Sequence, residues 1–321
     1  MIATIDLGGT RTKYGLVDAG SLVCSANCES NAQGSLEDHL NQVLELLRAM
    51  CARQGIALTE CAGLGVLSTG LVDNREMRVL STNGKYEAAT EFDFQQWARQ
   101  CAGLELRLEN DARGALLGEW SCGAGRGVDN LVMVTFGTGV GTAVLLDGQL
   151  LTGPHFSAGI LGGHILVNSG GRRCTCGAVG CLETEASGWA LPILIQAHAD
   201  YPNSSLQGLE AVGFREVIEH AEAGDVCAKD VLEHCLRYWG EALVSYIHSF
   251  DPERMILGGG IMNAPEWLLD RFKQTVADYA WSKPGQVELV KAAHPNDAGL
   301  LGAAALFDRR SHAPSPLKRQ T

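Results

Sequence analysis

The sequence predicts an α/β fold assembled from two related halves. Three observations carry that expectation. Apolar runs of strand length alternate with stretches of helical periodicity. A hairpin with a glycine and threonine turn near the start recurs about 130 residues later, a period too long for a solenoid. The chain has 321 residues, 46% of them hydrophobic, enough for about two domains with an ample core.

The elements follow in order. IATIDLGGTRTKYGLVD, from Ile2, is an apolar run, a turn and a second apolar run ending at Asp18, which reads as a hairpin. SLEDHLNQVLELLRAMCARQG reads as a helix: Ser35 caps it with Asp38 three residues on, Leu36, Leu40, Val43, Leu44 and Leu47 share a face, and Gly55 ends it. AGLGVLS from Ala62 and LELRL from Leu104 read as buried strands, and ARGALLGEW after Asp111 as a helix. VMVTFGTGVGTAVLLDG, from Val132, repeats the opening plan, with Gly137 on Gly8 and Leu146–Asp147 on Val17–Asp18. A long helix is expected from Val226 to Phe250, then the strand RMILGG after Asp251 and Pro252. The tail RRSHAPSPLKRQT has nothing to bury, and disorder is expected over 309–321.

Composition excludes several classes. The start shows no basic segment, apolar segment and cleavage site of a secretion signal, and no run reaches the roughly 18 apolar residues of a membrane span, so a soluble cytoplasmic protein without a membrane partner is expected. A net charge of −12 repels polyphosphate backbones, which argues against nucleic acid as a partner. Eleven cysteines, an odd number, then read as reduced thiols.

One stretch is an exception. GGHILVNSGGRRCTCGAVGCLE offers His164, Cys174, Cys176 and Cys181, the four ligands of a closed tetrahedral zinc site. Three buried thiols beside an unrelated core histidine are the competing reading. A closed site has no position for a reactive water, so the ion would brace a loop and whatever it presents, Glu183 being the candidate.

The glycine turns suit phosphate. Main-chain N–H groups of Gly8, Gly9 and Gly137, Thr138 and Gly139 can approach an anion, and the Thr10 and Thr138 hydroxyls add donors. Gly258, Gly259 and Gly260 form a third turn suited to a planar base or ribose. Any one such turn reads equally as a tight strand connection. Asp6, ahead of the first turn, is a magnesium-side candidate acting mostly through water. Asp111, at the strand-to-helix junction of LENDARGALLGEW, reads as a helix cap and also as a base for a hydroxyl that attacks phosphorus.

DLGGTRTKYG, ENDA, FGTGVG, GH followed by CTCGAVGCLE, and LGGGI resemble, in order and spacing, the ROK family of sugar kinases and repressors over nearly the whole chain. The resemblance implies an actin-like ATPase fold, related to ribonuclease H, in which two α/β domains close a cleft on ATP, usually as a homodimer. It implies that Asp111 is the base for the 6-hydroxyl of a hexose or N-acetylhexosamine, that Asn110 and Asn83 contact sugar hydroxyls, and that His164 and Glu183 bind near the anomeric end. Magnesium and a structural zinc would be the metals.

Two positions depart from the family pattern. Leu161 stands where most family kinases carry a glutamate three residues before the histidine, which removes a charged acceptor worth about 1.5–3 kcal/mol and alters the pocket near the 2-position. Arg11 replaces the usual lysine of the first loop and keeps its charge. The first loop begins at Asp6, which leaves no expected DNA-reading domain ahead of it. A sugar-sensing protein without turnover is the alternative that Leu161 raises. The expected division is 1–118 with the last helix 297–308 as one domain and 119–296 as the other.

Overall fold

The computed structural model describes residues 1–82, 84–281 and 286–308. Two compact units emerge: Met1–Asp129, Leu145–Ala158 and the residues from Ala292 form the first, Asn130–Val144 and Gly159–Lys291 the second.

In the first unit, β1 (Ile2–Leu7), β2 (Arg11–Asp18) and β3 (Ser21–Glu29) run as an antiparallel meander, followed by α1 (Leu36–Arg53) and β4 (Leu64–Ser68). A small hairpin of β5 (Leu71–Asp73) and β6 (Arg78–Ser81) and the short α2 (Phe94–Trp97) precede β7 (Leu106–Asn110) and α3 (Asp111–Cys122). The sheet order is β3-β2-β1-β4-β7, with β4 parallel to both β1 and β7. Ser35 accepts from the Asp38 amide and caps α1, whose Leu36, Leu40, Val43, Leu44 and Leu47 pack on Ala3, Ile5 and Leu7 of β1. Alternation along the strand turns Ile2 and Val17 to the other face, against Leu301 and Ala304 of the last helix.

The second unit repeats this plan. β8 (Leu131–Phe136), β9 (Val140–Leu146) and β10 (Gln149–Leu150) are followed by α4 (Leu182–Ala186), α5 (Leu191–Ala197), α6 (Phe214–Glu222), α7 (Val226–Phe250), β11 (Arg254–Gly258), α8 (Trp267–Tyr279) and β12 (Glu288–Lys291). The order is β10-β9-β8-β11-β12, with β11 parallel to β8 and β12; β10 and the end of β9 belong to the first unit. Both sheets are therefore a meander extended by two parallel strands, and both glycine loops occupy the same connection, β1 to β2 and β8 to β9. Trp239 of α7, fully buried, packs against Phe136, Phe214 and Phe272 at the centre of this unit.

The division falls at Asp129, beyond the sequence boundary of 118, because α3 is tied to segments distant in the chain. Buried Arg113 donates to the carbonyls of Leu151, Phe156 and Ala158 at 3.2, 3.0 and 2.9 Å and pairs with buried Glu109 at 3.4 Å. Buried Glu119 accepts from the amides of Ala124, Ala293 and His294 at 2.8, 3.0 and 2.6 Å. From there the chain enters α9 (Ala298–Ala305), which lies on α3 so closely that a Cβ at Gly302 would sit 1.7 Å from the Gly114 carbonyl oxygen. No helix among the described residues is long and apolar enough to cross a membrane. The tail expectation for 309–321 lies outside the described residues.

Candidate functional site

In the first unit, β1 ends by placing Asp6 just ahead of the Gly8–Thr10 turn. Burial, reinforced by the charge of Asp111 and partly offset by Lys13, pushes the Asp6 carboxyl up to about 6. The turn is held from behind. The Gly8 carbonyl accepts from Ser30 Oγ at 2.6 Å and from the Tyr86 hydroxyl at 3.2 Å, and Thr12 Oγ1 lies 2.8 Å from His39 Nε2. Burial lowers the pKa of His39, which favours a neutral imidazole in this network. Thr10 and Arg11 are exposed at the tip, and Arg11 donates to Asn27 Oδ1 at 3.2 Å. Tyr86 and His39 went unmarked at the sequence level, since their roles depend on contacts with distant residues.

Asn110 ends β7 and Asp111 opens α3. The helix cap is Asn110, whose Oδ1 accepts from the amides of Ala112 and Arg113 at 3.0 and 3.2 Å. Its Nδ2 donates to the Gly70 carbonyl and to Asp111 Oδ1, each at 2.9 Å, so all four hydrogen-bonding positions of the amide are occupied. This displaces the cap reading of Asp111, whose Oδ1 takes the Asn110 and Ala112 donors while Oδ2 makes no hydrogen bond among the described residues. Burial raises the Asp111 pKa, against the Ala112 amide and the Lys85 charge. Asn83 lies outside the described residues.

In the second unit, the Gly137–Gly139 turn closes through Gly137 N–H to the Gly139 carbonyl at 2.9 Å. It is backed by the amides of Gly188 and Trp189, which donate to the Gly137 and Thr138 carbonyls at 2.9 and 3.0 Å. The turn over Gly258–Gly260 presses on the same strand end: Gly259 has φ +88°, and a Cβ there would meet the Phe136 carbonyl oxygen at 2.1 Å, so only glycine fits.

The zinc-type residues converge. The ligand atoms of His164, Cys174, Cys176 and Cys181 all lie within 4.8 Å of one another. Cys174 Sγ is 3.6 Å from His164 Nδ1, and Cys176 Sγ is 3.6 Å from Cys181 Sγ. Sulfurs bound at about 2.3 Å to a tetrahedral ion stand about 3.8 Å apart, close to the 3.6 Å between Cys176 and Cys181, so the quartet is of a size that could hold zinc. The Nδ1 edge of His164 faces the thiols, which leaves Nε2 for another partner. Cys181 leads directly into α4, where Glu183 accepts from the Val140 amide at 2.9 Å. The Gly162–His164 turn is fastened by Gly162 N–H to Thr142 Oγ1 and by the Tyr246 hydroxyl to the Gly162 carbonyl, each at 2.9 Å. Leu161, beside it, is 46% exposed.

Comparison with known proteins places these features in context. The family described as ROK family matches residues 2–310. A glucokinase of Thermotoga maritima is 32% identical over 95% of this chain and 96% of its own length. A ROK hexokinase from Thermus thermophilus superposes with a TM-score of 0.77 at 30% identity, covering 95% of this chain and 97% of that one. A ROK family glucokinase from Streptomyces griseus, solved with glucose and AMPPNP, gives a TM-score of 0.77 at 27% identity over 95% and 98%.

Proposed function

The chain belongs to the ROK family and has its actin-like ATPase fold, and from that premise we propose that this ATP-dependent sugar kinase transfers the γ-phosphoryl group to the 6-hydroxyl of a hexose or N-acetylhexosamine, with Asp111 as the base. The observation that carries the base assignment is the asymmetric carboxylate of Asp111. One oxygen is tied down and the other is unengaged, at a helix start where the group is fixed but not spent.

In the proposed reaction the sugar oxygen attacks the γ-phosphorus as its proton passes to Asp111 Oδ2, the bond to the β–γ bridging oxygen breaks, and ADP departs. Catalysis of this kind is chiefly positioning and charge stabilisation. Main-chain donors of Gly8 and Gly9 with Thr10, and of Gly137, Thr138 and Gly139, would grip the phosphates, and Gly258–Gly260 would receive the nucleoside. Asn110, fully engaged within the chain, is proposed to orient Asp111 as well as stand near the sugar. His164, through Nε2, and Glu183 would bind the sugar. Asp6 would hold magnesium, largely through water, and that ion would neutralise phosphate charge. His164, Cys174, Cys176 and Cys181 would hold a zinc that stiffens the loop and supplies no chemistry of its own. A cytoplasmic homodimer completes the proposal, and light scattering of the purified chain checks the assembly. A sensing role without turnover is not favoured, because Asp111 and both phosphate turns are present.

Turnover against glucose, fructose, mannose, allose and the N-acetyl sugars tests the reading. Asp111→Asn should lower kcat by about 10²–10⁴-fold while sugar affinity changes little. A rate left intact would remove Asp111 from the mechanism.

A further inference from the structure

We propose that Lys85 is a further catalytic residue, whose ammonium serves as the cation of the first phosphate turn and meets the outermost phosphate of the bound nucleotide. The proposal rests on the kinase reading above.

The geometry supplies three observations. First, Lys85 lies along the turn itself: a Cβ built at Gly9 would stand 2.5 Å from Lys85 Nζ and 2.6 Å from its Cδ and Cε. The lysine can lie there only because residue 9 has no side chain. Second, the two nearby cations are committed. Arg11 donates to Asn27 Oδ1 at 3.2 Å, and Lys13 donates to the Asn296 carbonyl, whereas Lys85 has no hydrogen-bond partner among the described residues. Third, the backbone around Lys85 is anchored. Gln33 Nε2 donates to the Gly84 carbonyl at 2.9 Å, the Tyr86 amide donates to the Ala32 carbonyl at 2.8 Å, and the Tyr86 hydroxyl reaches the Gly8 carbonyl. Tyr86 is buried at φ +53°, a left-handed conformation that costs free energy and that these contacts hold in place.

A cation so placed lies against the phosphate turn and acts on the carboxylate proposed as base. Its charge lowers the Asp111 pKa against burial, with Asp6 the other nearby carboxylate and Lys13 acting on Asp6. Charge accumulates on the equatorial oxygens of a transferring phosphoryl group, and a fixed ammonium stabilises it there more than in bulk water. Only electrostatic work is asked of Lys85. Arg11 keeps a positive charge in the first loop but is tied to Asn27, and Lys85 brings a second cation to the turn from a different segment of the same unit.

Calorimetric binding of AMPPNP and of ADP to the wild-type chain, Lys85→Met and Lys85→Arg tests this, with kcat and its pH profile measured alongside. Lys85→Met should weaken AMPPNP about 10-fold or more and leave ADP within about 2-fold, because only the outermost phosphate loses a partner. Its kcat should fall on the order of 10²-fold, its acid limb should move to higher pH as Asp111 loses a counter-charge, and Lys85→Arg should recover part of each effect. An unchanged AMPPNP-to-ADP ratio overturns the proposal. Equal losses for both nucleotides in both variants, with a lowered melting temperature, overturn it in favour of a structural role. A wild-type chain that phosphorylates no sugar, yet whose AMPPNP affinity depends on Lys85, removes the kinase reading and supports the phosphate contact.

Discussion

Asp6 carries its negative charge at a cost that pH can reveal. An unfolded aspartate titrates near pH 3.9, whereas burial and the neighbouring Asp111 push Asp6 up to about 6 in the fold. Between roughly pH 4 and 6 the folded chain holds the proton more tightly than the unfolded one, so this group's contribution to stability falls as pH rises through that window. Asp6→Asn removes the penalty. Its melting temperature relative to wild type, measured without nucleotide or magnesium, should be higher at pH 7.5 than at pH 4. A difference independent of pH would show that Asp6 ionises without penalty. Asp6, Asp111 and the His–Cys quartet are legible in the sequence as candidates because motif spacing marks them locally. The cap is not: Asn110 and Asp111 are both good caps, and only the register in which β7 ends decides between them. Lys85 is not legible in the sequence, since its proximity to Gly9 spans a sequence separation that no local pattern reports.

Helix α3 bears Asp111, the proposed base, and packs closely on the last helix. Gly118 faces α9 directly: beyond the contact of Gly302 with the Gly114 carbonyl, a Cβ at Gly118 would sit 2.1 Å from the Ala298 carbonyl oxygen. Backbone meets backbone there. Gly302→Val should therefore destabilise the chain by at least about 1–3 kcal/mol, read as a shifted denaturant midpoint, and should lower kcat with it because Asp111 rides on the displaced helix. A midpoint unchanged within error would mean that the two helices separate without penalty. Legibility at this scale follows amphipathicity. The cap and apolar face announce α1, and length announces α7. The mid-helix glycines of α3 hint at a close neighbour, but periodicity cannot name a partner at the far end of the chain. The short β5–β6 hairpin carries too few residues to register.

Across the whole molecule, duplication was the most legible feature, because a repeated hairpin with a glycine turn leaves its trace in residues that must be glycine. The unit boundary was less so, for the chain re-enters the first unit twice, and the links that bring it back, from Arg113 and Glu119, are buried ion and hydrogen-bond contacts with no sequence period. The metal quartet makes a prediction for the molecule as a whole: elemental analysis should find about one zinc per chain, and its absence from carefully purified protein would discard the site. The five-residue α4 would give such an ion a reach beyond its own ligands. Cys181 sits at one end of α4, and just past the other end Gly188 and Trp189 stitch the polypeptide to the Gly137–Thr138 turn. Stripping the zinc with a chelator should then behave as an indirect antagonist of ATP, loosening nucleotide grip at concentrations that leave the far-ultraviolet dichroism of the chain unaltered.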